Sequence, residues 1–446
     1  MAGARYALLA ALASAAPVAA QIVPPGMAPP APIVPPAVSP GGIPTGTVAD
    51  PLRVYGDDAP ALSGLDILAG IGLDVIAAMT TEYNDNVARL SDGSQLSDRY
   101  RSKGDWSFRP SVGVSAGRPL GRQQLFLNAN IGRDFYARNT LLDRNRFGVN
   151  GGMAWSLGTR CGGRLQGGYI KRGTQFGTFE EVIPSTQERV DFLASANCRT
   201  ATGLSANLSY NRKKTTNHTD DPEGEIDRSF ADVKSHGISG GIGYPVANRG
   251  QIGLQGNWTK QDFPNQPLAT GGVNGSEIYG VNLFGNYRVG SSLNVNAGLG
   301  KSWVSSNVPM SDDFSGLVWN LGVNYSGPRI GVSVSTGRSV NGSSGASSNY
   351  TIGKFFNTSV NYRANNRLSF AGGIGTSDTD YRGIDQLPET QDVRSAKMRR
   401  YFMGADYRLN RIVAFSLDFN HANRSSNPGT GSYKANTVGL TARASF

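Results

Sequence analysis

The chain has 446 residues, with 43 Lys and Arg against 33 Asp and Glu, a net charge of +10, and only 17% of its residues are charged. Its 58 glycines and 39% hydrophobic content come without an interior apolar run long enough for a membrane helix, which excludes a helical membrane bundle. Past residue 65 helix-forming residues are thin while Gly, Ser, Asn, Thr, Val and Tyr recur, which argues against a mostly helical soluble enzyme and leaves strands joined by turns.

Residues 1–20 read as a signal peptide: Arg5 supplies the positive end, Tyr6 to Ala16 is apolar but too short to span, and Val18-Ala19-Ala20 gives small-x-small before Gln21. No Cys follows that site, so a lipid anchor is not indicated. Residues 21–50 hold nine of the 23 prolines. Proline lacks a backbone donor, so 21–69 is expected to be an extended, semi-rigid periplasmic segment ahead of the folded part.

From about residue 70 to the end one pattern persists. Leu317, Trp319, Leu321, Val323 and Tyr325 alternate with Val318, Asn320, Gly322 and Asn324; Tyr279, Val281, Leu283 and Tyr287 alternate with Gly280, Asn282 and Asn286. A period of two with one apolar and one small or polar face is a strand between two media, and alternation alone does not separate a barrel from a soluble sandwich. The punctuation separates them. Short turns recur about every forty residues, from Arg118-Pro119-Leu120-Gly121 to Leu409-Asn410, and longer polar stretches fall between them, near 85–103, 138–145, 177–187, 215–229, 262–276, 305–313, 340–348, 379–396 and 423–431. Eight short turns make eight hairpins, and one strand is left at each terminus. The expected fold is an all-β transmembrane antiparallel barrel of about 18 strands in the bacterial outer membrane, with both termini periplasmic. Tyr244, Tyr287, Tyr325, Tyr362 and Tyr407 sit near the short turns, where an interfacial girdle needs aromatics.

The last strand puts Val438, Leu440, Ala442, Ala444 and the terminal Phe446 on one face. A carboxy-terminal Phe of this kind resembles the assembly signal of bacterial outer-membrane barrels, which implies the barrel assembly machinery as a partner. Thr81-Glu82-Tyr83-Asn84-Asp85-Asn86-Val87, followed by a strand with Pro110 inside it, resembles the putative β-barrel porin family 2, whose members often sit in exopolysaccharide gene clusters of sphingomonads. The resemblance implies a barrel over 70–446 and carries no catalytic or ligand-binding residue.

Little in the chain suggests chemistry. His218, His236 and His421 fall in or near outer loops, and alternation puts His421 on the face opposite Ser416 and Asp418, so no triad is expected and the chain is read as a non-enzyme without cofactor or metal. The acidic stretch Asp220, Asp221, Glu223, Glu225 and Asp227 lacks the ligand spacing of a calcium loop. Twelve arginines, Arg118, Arg122, Arg160, Arg164, Arg199, Arg249, Arg288, Arg329, Arg363, Arg367, Arg408 and Arg411, cluster at the short turns. A collar against anionic lipid headgroups accounts for the basic balance without nucleic acid. Alternation turns Arg109, Arg172, Arg189, Arg400 and Arg443 inward, together with Asp74, Asp134, Asp191, Asp406 and Asp418. This mixed lining, rich in Asn, Ser, Thr and Gly, does not predict strong anion selection. Cys161 opens one strand and Cys198 ends the next, with both thiols on the outward face, and a disulfide is expected in the oxidising periplasm.

The reading is an outer-membrane pore serving as an accessory or exit channel in exopolysaccharide secretion, with periplasmic polysaccharide-secretion proteins as partners. Two alternatives stay open: a general diffusion porin for small solutes, and a non-conducting structural barrel.

Overall fold

The computed structural model describes residues 72–91, 95–96, 98, 100–174, 185–219, 229–247, 249–268, 271–308, 313–342, 348–383, 395–427 and 431–446. The expected signal peptide and proline-rich segment, and the acidic stretch at 220–227, lie outside them.

Among the described residues there are eighteen strands: β1 (Gly72–Asn84), β2 (Asp105–Leu120), β3 (Gln123–Tyr136), β4 (Arg144–Leu157), β5 (Cys161–Thr174), β6 (Ser185–Arg199), β7 (Ser205–Thr219), β8 (Val233–Val246), β9 (Gly250–Pro267), β10 (Val273–Val289), β11 (Leu293–Ser306), β12 (Phe314–Ser326), β13 (Ile330–Gly342), β14 (Ser348–Arg363), β15 (Leu368–Gly383), β16 (Ser395–Arg408), β17 (Val413–Asn427) and β18 (Tyr433–Ser445). Each pairs antiparallel with its sequence neighbours, and β1 also pairs with β18, from Ile76 opposite Ser445 to Asn84 opposite Thr437. The sheet is therefore a closed barrel with no edge, the arrangement by which strands satisfy their backbone groups inside a lipid bilayer.

One end carries the eight short turns. Gly121, at a φ of 61°, lies in the two-residue turn between Leu120 and Gln123, where the tight hairpin requires a left-handed backbone. Asn365 and Asn410 build two others by accepting backbone N–H bonds from Arg367 and Leu368, and from Ile412 and Val413, at 2.8–2.9 Å.

The strands run further toward the long-loop end than the polarity of those stretches suggests. Residues 262–267 and 273–276 belong to β9 and β10, and 340–342, 379–383 and 423–427 likewise belong to strands. Polar side chains there bond across the sheet, Asn274 of β10 donating to Gln266 of β9 at 2.5 Å, and charged pairs stand just inside such segments. Lys260 lies opposite Glu277 with a contact of 3.4 Å, and Lys171 lies opposite Glu188 at 2.9 Å. Polarity in these segments marks where strands leave the apolar layer; it does not mark where they end.

The apolar side chains are exposed. Leu283, Leu254, Leu321, Leu417 and Leu440 stand on one face, with Leu283 59% accessible. That face is the outer one, because the opposite face is covered from within: Ile278 of β10 and Val304 of β11, both of the opposite parity, bury themselves against Tyr350 and Ile352 of β14, a strand that neighbours neither, which only the inside of a barrel allows. On β10 the exposed Tyr279 and Tyr287 bracket Val281 and Leu283. Eight residues span about 27 Å along the strand and about 20 Å along the membrane normal at the usual tilt, close to the height of an outer-membrane apolar band. At its upper limit Trp258 Nε1 and the Tyr279 hydroxyl both donate to Glu277, at 3.3 and 2.6 Å, so the aromatics join the apolar band to the charged rim.

Candidate functional site: the inner wall

Every lumen-lining residue expected from alternation lies on the face opposite this belt. Arg109 stands between the exposed Phe108 and Val112 on the other parity, Arg400 beside the exposed Tyr401, and Asp418 beside the exposed Leu417. Arg172, Arg189, Arg443, Asp74, Asp191 and Asp406 follow the same parity on their strands.

The structure joins some of these residues. Arg109 grips Glu82 of β1 with both terminal nitrogens, at 2.6 and 3.3 Å, and its Nε lies 3.9 Å from Asp134, which is 2.9 Å from Arg146 of β4. Arg189 and Asp191 approach to 3.5 Å, Asp406 accepts a 2.6 Å bond from Ser416, and Arg172 donates to Gln187 at 3.3 Å. Glu82 and Arg146 were missed by the sequence reading, although the same alternation counted from Tyr83 and Phe147 would have found them. His421 is not joined to Ser416 or Asp418. Its ring lies tilted against that of Tyr401 on the outer side and it contacts Asn436 at 2.7 Å. The arginine collar also divides: Arg164, Arg288, Arg363 and Arg408 have inward parity, so part of it lines the short-turn mouth instead of facing headgroups.

Charge is unevenly spread round the bore. It concentrates on β1–β7 and β16–β18. On β8–β15 the inward positions of the described residues are Asn, Gln, Ser, Thr, Gly and a few apolar or aromatic side chains, with Arg288 and Arg363 at the short-turn rim and Arg338 lying over the inward Phe314 where β13 leaves β12. Many of these amides sit beside a glycine on the adjoining strand. Asn282 occupies the space above Gly300, Asn296 that above Gly322, and Asn320 that above Gly298. A Cβ at any of these glycines would meet the carboxamide, so glycine lets the amides lie along the wall and leaves the bore wide. Phe284, Phe355, Phe402 and Phe126 lie in the same way across Gly253, Gly337, Gly373 and Gly152.

Two segments fold inward at the long-loop end. Val87, Ala88 and Leu90 pack with Tyr100 and Leu142 and rest on Tyr136, an inward side chain of β3. Asn86 ties this loop down by donating to the carbonyls of Leu90 and Lys434, both at 2.8 Å, and Asn139 and Asp105 accept the backbone N–H groups that close it. The second segment is the outer end of the β13–β14 hairpin. Pairing of β12 with β13 stops at Trp319 opposite Arg338, while β13 and β14 stay paired up to Gly342 opposite Tyr350. Freed from β12, the hairpin passes in front of β10–β12. Val340, Tyr350 and Ile352 pack on Ile278, Val304 and Phe314, and Gly342 reaches Gln261 of β9.

Cys161 and Cys198 are directly opposed on β5 and β6, 4.1 Å apart at Cα, and are joined by a disulfide. Phe446 lies on the outer face, 71% accessible, and its backbone exchanges two hydrogen bonds with Val75, at 2.8 and 3.1 Å.

A closed barrel of eighteen strands with an apolar outside, an aromatic rim and a polar inside is an outer-membrane β-barrel of the porin kind. In agreement, residues 286–446 match the family model described as putative beta-barrel porin 2. Among solved structures the chain is similar to the FrpB iron transporter of Neisseria meningitidis, at 12% identity and a TM-score of 0.49, over 82% of this chain and 62% of that one. It is also similar to the outer membrane protein OpdK of Pseudomonas aeruginosa (12% identity, TM-score 0.44, 84% and 100% covered) and to the siderophore receptor PirA of Acinetobacter baumannii (9%, 0.47, 85% and 81%). The chain thus spans less than two thirds of the FrpB transporter's length. No curated protein matches the sequence.

Proposed function

We propose that this barrel is an outer-membrane pore for carbohydrate, acting as an accessory or exit channel in exopolysaccharide secretion, with both termini and the short turns in the periplasm. The observation that carries this reading is the uncharged amide and hydroxyl arc of β8–β15. Such groups exchange hydrogen bonds with sugar hydroxyls as readily as water does, so a polymer passes without being held by charge. Barrels of sixteen to eighteen strands enclose a water-filled channel, which a polymer in transit requires. The proline-rich residues 21–69 would then offer the periplasmic secretion proteins a handle on the barrel.

The two inward-folded segments at the long-loop end favour a second reading, a diffusion porin for small solutes, since they narrow that mouth. A clean gene deletion separates the two. Reduced or periplasmically retained surface polymer with normal small-solute uptake supports export. Normal polymer with slowed uptake supports the porin and overturns export.

A further inference from the structure

The inner wall carries a row in which aromatic rings and an amide alternate with glycine. Register places Gly253, Phe284, Gly298, Asn320, Gly337 and Phe355 side by side on β9, β10, β11, β12, β13 and β14. Each large side chain leans onto the glycine of the preceding strand: Phe284 over Gly253, Asn320 over Gly298, Phe355 over Gly337. Phe284 and Phe355 remain partly accessible from the bore, and Asn320 is exposed to it. A ring at such a position keeps part of its face open to the lumen, although burying a phenyl face is favourable, and polar amides lie beside it. One step toward the short-turn end, register puts Asn286, Asn296 and Asn357 in a parallel row. One step further out, the apolar underside of the β13–β14 hairpin begins, so the row lies at the foot of that overhang.

From this arrangement we propose that Phe284, Asn320 and Phe355 form a binding track for a neutral pyranose chain, a proposal that rests on the carbohydrate-pore reading above. A pyranose ring has apolar C–H faces and a rim of hydroxyls. The faces settle on Phe284 and Phe355, and the rims reach Asn320 between them and the amides of the next row. The two phenyl rings are four strands apart, about 19 Å, which a single sugar does not bridge and an oligosaccharide does. Strands tilted by about 40° make a row perpendicular to them climb the wall, so the track leads along the pore as well as around it. Among the described residues the track and the amide row beside it carry no charge, and Arg338, at the fork of the overhang, is laid over the Phe314 ring, which selects a neutral ligand over an anionic one.

The test uses the full chain in planar bilayers with maltohexaose as probe, and glucose and a polyethylene glycol of matched size as controls. The track predicts reversible current blockades by maltohexaose that outlast those of the polyethylene glycol, with no resolved blockade by glucose. Phe284→Leu and Phe355→Leu keep Gly253 and Gly337 covered but remove the rings, so each should shorten the blockade roughly fivefold and the double variant more, at unchanged open conductance. Phe126→Leu, which alters a ring outside the track, should leave the dwell time unchanged. Equal blockades by the hexaose and the polyethylene glycol, or full dwell times in the double variant, would overturn the track and leave the pore standing. No conductance from the folded wild-type barrel would overturn the pore and the track with it.

Discussion

At the scale of the residue, facing is decided by a period of two, and through the apolar band this was legible: the parity that put Leu283 and Leu321 outward and Asn282 and Asn320 inward is the parity of the structure. Pairing across strands was not legible. The glycines of these segments read as merely small, whereas Gly300, Gly322 and Gly298 each leave room for an asparagine of the neighbouring strand. That relation exists only once the register is known, and no single strand's sequence contains it. A facing prediction follows. Lysine at Leu283 or Leu321, near mid-strand, meets hydrocarbon and should cost about 2–4 kcal/mol of barrel stability, whereas Asn282→Lys meets water and should cost little. Denaturant unfolding in lipid vesicles measures both. The reverse order of sensitivity would mean that the apolar face is not in lipid.

At the scale of the element, turn chemistry located all eight hairpins: left-handed glycines stand in four of them, at Gly121, Gly158, Gly203 and Gly290, asparagines at a fixed offset build two more, at Asn365 and Asn410, and Pro245-Val246-Ala247-Asn248 and Gly327-Pro328-Arg329 mark the other two in the sequence. Outer strand ends were read as loop, since segments above the bilayer lose their apolar alternation while keeping their ladder bonds. The tucked β13–β14 hairpin had no signal of its own: Val340, Tyr350 and Ile352 continue the outward alternation, and only the early end of β12–β13 pairing turns that face onto the inner wall. The β5–β6 hairpin is the opposite case, since both its cysteines fall at the open end on one face. Their bond closes a separation of 37 residues, which constrains the unfolded chain by about 3–4 kcal/mol in the loop-entropy account. Protein denatured without reductant should therefore take up no thiol label, and should take up two per chain after reduction. Labelling before reduction would show that the bond does not form in the cell.

At the scale of the whole molecule, eighteen strands become a barrel only if the first meets the last, and this contact joins residues more than 350 positions apart. The seam is held at three heights. At the short-turn end Val75 and Phe446 exchange both backbone bonds; midway, on the inner face, the Thr80 and Thr441 hydroxyls meet at 2.9 Å; at the long-loop end Asp85 accepts two bonds from Asn436, at 2.7 and 2.6 Å. The Tyr83-Asn84-Asp85-Asn86 motif thereby acquires a physical role: Asn84 holds the backbone of Asn86, Asp85 clasps β18, and Asn86 anchors the inward-folded loop. The contact order of such a closure makes it a late and slow event in folding. Its two ends differ in kind. Asp85→Ala removes side-chain bonds from a seam whose backbone ladder remains, so the variant should still assemble, with a heat-modifiable band that converts at a lower temperature. Deleting Phe446 removes the last two backbone bonds and the exposed ring at the end of β18, leaving Val75 as part of an open edge, and the chain should collect unassembled in the periplasm. Outer-membrane fractionation and unheated gel mobility read both outcomes. A normal heat-modifiable barrel after the Phe446 deletion would show that the seam closes without its terminal residue.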